Sequence, residues 1–462
     1  MENFYYVVFG LLALMCLGVE LRKEKAEKTI SSEGFKSFRN NYLLVYTLMM
    51  AGDWLQGPYV YALYAYYGYS VGDIGKLFIA GFGSSMIFGT AVGSLADKMG
   101  RKKACMVYVV TYVGSCVTKH WSNYNVLMLG RVFGGIATSL LFSSFESWLV
   151  AEHFKRGYEG AWLSGVFSKA VFLGNGVAAI VAGLIANTLV HSMDFGPVAP
   201  FDAAIVVLVL GGIMIATTWT ENFGDNSATA PSLVQQFRNA FNAIKTDPKV
   251  GVLGAVQSLF EASMYTFVFL WTPALSPNDE DIPHGFIFAT FMLACMVGSA
   301  IAGKLMARAS LRIEVYMQGV FMVSAASLFA PVLVRDGQPN DDGTITMSIK
   351  LKFLAFVLFE GCVGIFWPSI MKMRAQYIPE EQRATIMNFF RIPLNIFVCV
   401  VLYNVKYFSM ETMFTMCASF LGFCVFCQRS LASMAAAESK ASSSIDESLP
   451  GVEPKERETS LS

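Results

Sequence analysis

The sequence predicts an all-α integral membrane protein, built as two six-helix bundles preceded by one extra N-terminal transmembrane helix. Three observations carry that expectation. Hydrophobic residues make up 55% of the chain and charged residues only 15%, against about a quarter charged in an ordinary soluble domain. Apolar runs close to the bilayer-spanning length, roughly 20 residues, recur in two sets of six. A tight basic loop, Gly93-Ser-Leu-Ala-Asp97-Lys-Met-Gly100-Arg101-Lys102-Lys103, separates two of those runs.

The same composition excludes other classes. A net charge of +0 makes no argument for nucleic acid or any acidic partner. The nine cysteines lie mostly inside apolar runs and have no zinc-ligand spacing with histidine, so they read as reduced, membrane-buried small hydrophobes. The four histidines are scattered near helix ends. Neither a metal nor a cofactor is expected, and no nucleophile–base set suggests an enzyme.

In chain order, residues 4–21 form a first apolar run with no basic residue before it and no small-residue cleavage site, which reads as an anchor rather than a signal peptide. Arg22, Lys23, Lys25, Lys28, Lys36 and Arg39 follow it. That asymmetry puts the N-terminus outside and makes residues 1–40 an anchor helix with a basic cytoplasmic linker. The first bundle, residues 41–221, has spans near 41–67, 73–96, 104–120, 125–151, 161–190 and 198–219. A polar cytoplasmic linker, residues 222–248, leads to the second bundle, residues 249–431. Its spans lie near 249–275, 284–305, 313–334, 350–374, 384–405 and 411–430. The tail, residues 432–462, is Ser/Glu/Lys-rich with Pro450 and Pro454 and is expected to be disordered and cytoplasmic.

Charge tests this topology independently. Loops expected inside carry Lys98, Arg101, Lys102, Lys103, Lys155, Arg156, Arg238, Lys245, Lys304, Arg308, Arg312, Lys372, Arg374 and Arg383, and loops expected outside little beyond Arg335 and Lys406. Lys and Arg resist translocation, so the two assignments agree.

In the basic loop, Gly93 and Gly100 permit a sharp turn where a side chain would collide. The pattern G-x-x-x-D-K-x-G-R-K resembles the loop signature of the major facilitator superfamily, where it joins the second and third helices. That resemblance implies a major facilitator fold, with Asp97 and Arg101 as a cytoplasmic latch holding the bundles in one state. A solvated turn with a helix cap is the plainer alternative. Leu127-Met-Leu-Gly-Arg131-Val-Phe-Gly134-Gly135 is similar to the superfamily's arginine-bearing motif on the fourth helix. The second half holds an echo of the loop, Gly303 through Arg308 and Arg312, that has lost the aspartate.

Ionised residues at bilayer depth cost about 2.5–3.5 kcal/mol each, yet several occur. Asp53, Glu146, Glu261 and Glu360 fall in spans 1, 4, 7 and 10, and Lys169 and Arg391 in spans 5 and 11. Matching spans of the two halves thus carry matching charges, and Phe145-Glu146 repeats as Phe359-Glu360. Helical spacing groups them into stripes: Gln257, Glu261 and Tyr265; Ser139, Ser143 and Glu146; Asn388, Arg391 and Asn395; Asp53 with Gln56. Such stripes face the protein interior or a wet cavity. Arg391 has a guanidinium fork suited to a tetrahedral oxyanion, with Lys169 opposite it and Asn388, Asn395, Gln56, Gln257 and Tyr265 as further donors. The alternative is that these charges only pair and hold helices together, Lys169 with Glu146 for instance.

Asp53-Trp-Leu-Gln-Gly-Pro-Tyr59, Phe145-Glu-Ser-Trp148 with Glu152-His153, Gly196-Pro-Val-Ala-Pro-Phe201, Phe267-Val-Phe-Leu-Trp-Thr-Pro273, Phe366-Trp-Pro-Ser369 and Asn388-Phe-Phe-Arg-Ile-Pro-Leu-Asn395 narrow the resemblance further. Together they resemble the molybdate-anion transporter family of the superfamily, which also carries the extra N-terminal segment. The resemblance implies uptake of molybdate across the plasma membrane by alternating access. Physics alone stops at a facilitator with a charged cavity, and leaves open another small polar solute or a sensor that kept the fold. Four carboxylates against two cations suit a dianion poorly, so the carboxylates, led by Glu261 and Glu360, are expected to bind protons that travel with it.

Overall fold

The computed structural model describes residues 3–20, 32–224, 233–277, 282–308, 310–335, 337, 345–378 and 380–448. All regular structure among them is helical. The first helix, α1, is Asn3–Glu20. α2 (Glu33–Trp54) starts where the Ser32 hydroxyl accepts from the Phe35 amide, 3.2 Å. It breaks at Gly57-Pro58, since proline supplies no donor, and α3 (Val60–Tyr66) completes the span.

α4 (Val71–Met99), capped by Ser70, and α5 (Arg101–Val117) follow. The fourth span is two helices, α6 (Tyr124–Leu141) and α7 (Ser144–Lys155). The fifth is α8 (Gly160–Val171) and α9 (Ala178–Asn187), joined by a wide π-helical turn at Phe172–Val177. α10 is Ala199–Thr218. The rest are α11 (Leu233–Thr246), α12 (Pro248–Leu275), α13 (His284–Met306), α14 (Ile313–Leu333), α15 (Met347–Tyr377), α16 (Glu380–Tyr403) and α17 (Met410–Ser448).

Several expectations need correction. Lys36 and Arg39 belong to α2 rather than to a linker, because the Ser32 cap starts the helix early. The polar linker expected at residues 222–248 contains a helix, α11. The tail is not disordered from residue 432: α17 runs on to Ser448. Leu431 is fully buried, and Lys249 pairs with Glu438 at 2.6 Å, so the helix has tertiary contacts past the bilayer-spanning length. Residues 449–462 lie outside the described residues.

Two apolar cores organise the packing. One gathers α12 to α17 together with residues of α1, α3, α4 and α6, such as Tyr5, Tyr61, Phe78 and Leu127; the other gathers α2, α5, α6, α7, α8 and α10 with residues of α3, α4 and α9. Large apolar side chains left outside them, such as Val206, Val209, Leu210 and Ile213 on α10, face where lipid would lie. Among the described residues, nine segments are long and apolar enough to cross a membrane.

The bundles touch at the end away from the basic loop. A side chain on Gly75 of α4 would sit 2.6 Å from the Leu402 carbonyl of α16, and one on Gly183 of α9 only 2.7 Å from the Gly285 carbonyl of α13. α1 lies on α13 and α15, with ring contacts Phe9–Phe286 and Tyr5–Phe353, both 5.1 Å. It also reaches Ile180 of α9.

Candidate functional site

Helix-to-helix distance builds the site. Gly254 on α12 has no side chain, and the Phe390 ring of α16 fills that space, 2.2 Å from where a Cβ would be. The Ser258 hydroxyl donates to the Phe390 carbonyl, 2.9 Å. This close approach brings Arg391, the next residue of α16, within electrostatic reach of Glu261 and Tyr265 on α12.

A second guanidinium reaches the same carboxylate from α15. Arg374 Nε donates to Gln257 Oε1, 2.8 Å, and its other arm lies 3.5 Å from Glu261 Oε1. Gln257 Nε2 in turn donates to Glu261 Oε1, 2.8 Å. Glu261 is 2% exposed and the Arg374 side chain 15%, so this is an ion pair largely withdrawn from solvent, where charge-assisted bonds are strong. Tyr265 extends the stripe by one turn and meets Phe82 of α4, ring centroids 5.3 Å apart. The cluster therefore lies where the second bundle faces the first.

Arg374 corrects the sequence reading, which counted it among loop charges. α15 continues to Tyr377, so Arg374 is still inside the helix.

The first bundle is arranged differently. Asp53 accepts a hydrogen bond from the Tyr112 hydroxyl of α5. Gln56 is turned back onto its own helix, donating to the Gly52 carbonyl at 2.9 Å. Glu146 lines a cavity of about 650 Å³ with Arg101, Ser143, Ser147, Phe154 and Phe223. Lys169 is exposed on α8 and makes no ion pair with Glu146 or any other described residue. Asn395 donates to the Arg391 carbonyl of its own helix, 2.8 Å. Glu360 is 6% exposed, with no ion pair among the described residues. The six charges thus do not form one cluster: Arg391 lies within electrostatic reach of Glu261, and no ion pair joins any two of the six among the described residues. Gly93 lies within α4 rather than in a turn, and the Asn388 side chain falls outside the described residues.

The basic loop is a knot within the first bundle. Arg101 Nε pairs with Asp97 at 2.8 Å and its NH1 donates to the Ser147 carbonyl, 3.2 Å. Gly100 has φ 107°, a conformation that disfavours other residues. A side chain there would strike the Glu221 carboxylate, 2.6 Å away. Glu221, which the sequence did not single out, accepts from the Lys102 and Lys103 amides at 2.8 and 3.2 Å and so caps α5. The Gly224 amide donates to the Asp97 carbonyl, 3.0 Å, and Trp148 stacks on Trp219 at 3.6 Å.

Arg131 sits elsewhere, donating to the Leu77 carbonyl of α4 at 3.1 Å over the Phe78 ring. In the second half, Arg312 pairs with Glu314 at 3.4 Å and Tyr377 donates to Glu314, a substitute for the missing aspartate.

Residues 4–356 match a family profile described as "Sugar-tranasporters, 12 TM". A molybdate-anion transporter of Takifugu rubripes is 33% identical over 428 residues, 86% of this chain and 86% of that protein. One from Xenopus tropicalis is 31% identical over 442 residues, covering 93% and 94%. The chain belongs to the molybdate-anion transporter family of the major facilitator superfamily. It is a multi-pass membrane transporter and not an enzyme. The fold agrees: a nucleoside transporter structure superposes with TM-score 0.61 at 13% identity over 85% of this chain and 98% of that one. The inward-open xylose transporter of E. coli gives 0.61 at 12% identity, covering 85% and 95%. In this transporter, the described residues contain no cluster of metal-ligating side chains.

Proposed function

We propose that this chain carries molybdate into the cell across the plasma membrane by alternating access. One observation carries the reading: two guanidinium groups, Arg374 and Arg391, converge beside Glu261, Gln257 and Tyr265 on the face turned toward α4. Guanidinium forks match the paired oxygens of a tetrahedral oxyanion, and the relatives' names supply molybdate as the member of that class. Of the residues expected to hold the anion, Arg391, Gln257 and Tyr265 belong to this cluster and Arg374 joins them. Lys169, Asn388, Asn395 and Gln56 are secondary.

The basic loop, with Arg101, Lys102 and Lys103, faces the cytoplasm, as does the end of α17. Residues 41–221 and 249–431 act as the two moving bodies, the Asp97–Arg101–Glu221 knot keeping the cytoplasmic end of the first one rigid. The bilayer is the required partner, and no nucleic acid takes part. Labelled-molybdate uptake by cells lacking their own system, with and without this chain, tests the reading. Uptake that tungstate inhibits and sugars do not supports it. Uptake unchanged by the chain, or inhibited by sugars instead, points to another small polar solute and overturns it.

A further inference from the structure

We propose that Lys119 and Tyr64 form a receiving site for a small inorganic anion, a halide or a tetrahedral oxyanion, at the end of the first bundle away from the basic loop. Lys119 lies just past the C-terminus of α5, in the short helical turn Thr118–His120, and is 1% exposed. Its Nζ donates to the Tyr64 hydroxyl of α3, 3.0 Å, and stands 5.3 Å from the centre of the same ring. It has no ion pair among the described residues.

A buried charge is ordinarily paired, yet the phenol and the ring face that meet this one are both neutral. The α5 dipole offsets part of the cost, but Nζ reaches no helix carbonyl among the described residues. Two carboxylates at this end are engaged by other groups. Asp202 of α10 lies 2.8 Å from His120 Nε2. Asp73 of α4 takes the Ser70 hydroxyl at 2.7 Å and Lys76 at 3.2 Å. Donors therefore exceed acceptors at the pair. An ammonium has three N–H groups, and one is used. The Tyr64 oxygen accepts from Lys119, while its own proton has no acceptor among the described residues. One positive charge with spare N–H and O–H donors suits an anion, whose bonds such charge strengthens.

The cover over this pair is α3. Gly57-Pro58 separates that short helix from α2, and its Tyr61 ring packs against Phe269 of α12, centroids 5.4 Å apart. Parting of the bundles at this end removes the neighbour that holds α3 over Lys119, and an anion from the solution on that side can then enter. An anion bound there favours the parted state, because it binds that state better.

Thermal unfolding of the purified full-length protein in detergent tests this. Sodium chloride replaces sodium gluconate, a bulky organic anion, at fixed ionic strength. The wild-type unfolding temperature should rise with chloride, following the logarithm of its concentration once the site fills. Lys119→Met should lose that rise, and in gluconate it should unfold at or above the wild-type temperature, since it buries no charge. Tyr64→Phe keeps the charge and loses one donor, so about tenfold more chloride should be needed for the same rise. A second arm adds sodium molybdate to the gluconate medium. A molybdate rise lost in Lys119→Met assigns the site to the transported ion, and a chloride rise alone lost there assigns it to halide; both support the inference. Wild-type protein insensitive to both anions, or a Lys119→Met variant that keeps every wild-type rise, overturns it. No step requires uptake, so that failure leaves the transport reading standing.

Discussion

Phe145-Glu146 and Phe359-Glu360 occupy matching places in the two halves, yet their carboxylates live in opposite surroundings. Glu146 opens onto a cavity of about 650 Å³ beside Arg101, whereas Glu360 is 6% exposed among packed α13 and α15. The first span of each half repeats the contrast: Asp53 is satisfied by a neutral phenol, Tyr112, and Glu261 by an amide and a guanidinium. Equivalent sequence positions have thus been given different electrical jobs. The second half pairs its span-7 carboxylate with a guanidinium, and the first leaves Asp53 and Glu146 without an ion pair among the described residues.

Substitutions can break or sharpen that contrast. The largest effect belongs to Arg374→Met, which leaves Glu261 buried without its ion-pair partner. We expect a loss of about 3–5 kcal/mol, read by thermal unfolding in detergent, with most of it restored in the Arg374→Met, Glu261→Gln double variant. Equal destabilisation in the single and double variants would mean that the pair is not the unit.

Arg391→Gln comes next. Arg391 is exposed, so stability should move by only about 0.5 kcal/mol, while molybdate uptake is abolished at normal expression. Retained uptake removes Arg391 from the site. In the first half, Tyr112→Phe deprives Asp53 of its donor and should cost about 1–3 kcal/mol, without the rescue by a second substitution expected for Arg374. Glu146→Gln should be smallest, within about 0.5 kcal/mol by thermal unfolding, because its carboxylate faces open space. A larger loss there would make the two halves alike after all.

Much of the fold was legible because hydropathy acts over whole spans. α12 and α13 match the expected 249–275 and 284–305 to within one residue at each end. Breaks were harder to see. The wide turn at Phe172–Val177 has no proline to mark it, and its Gly174 and Gly176 acquire meaning only from Tyr46, Met50 and Met296 packed against them across space. The Gln257–Glu261–Tyr265 stripe was visible because side chains four apart on a helix must share a face. Arg374 was not, since counting basic residues near span ends treats the last turn of a helix and the loop after it alike. Glu221 and Tyr112 were invisible for another reason: an isolated acid in a polar segment and one tyrosine among many acquire meaning only from α5 and Asp53 across space.

One feature of the seam bears on how the molecule moves. At Gly183 and Gly285 the two bundles meet main chain against main chain, and added side chains would lie 2.7 and 2.5 Å from the opposing carbonyls. A seam made of side chains can be loosened by rotamer changes, one residue at a time. A seam made of peptide units has nothing to swing aside, so the two bundles can part here only by moving whole helices.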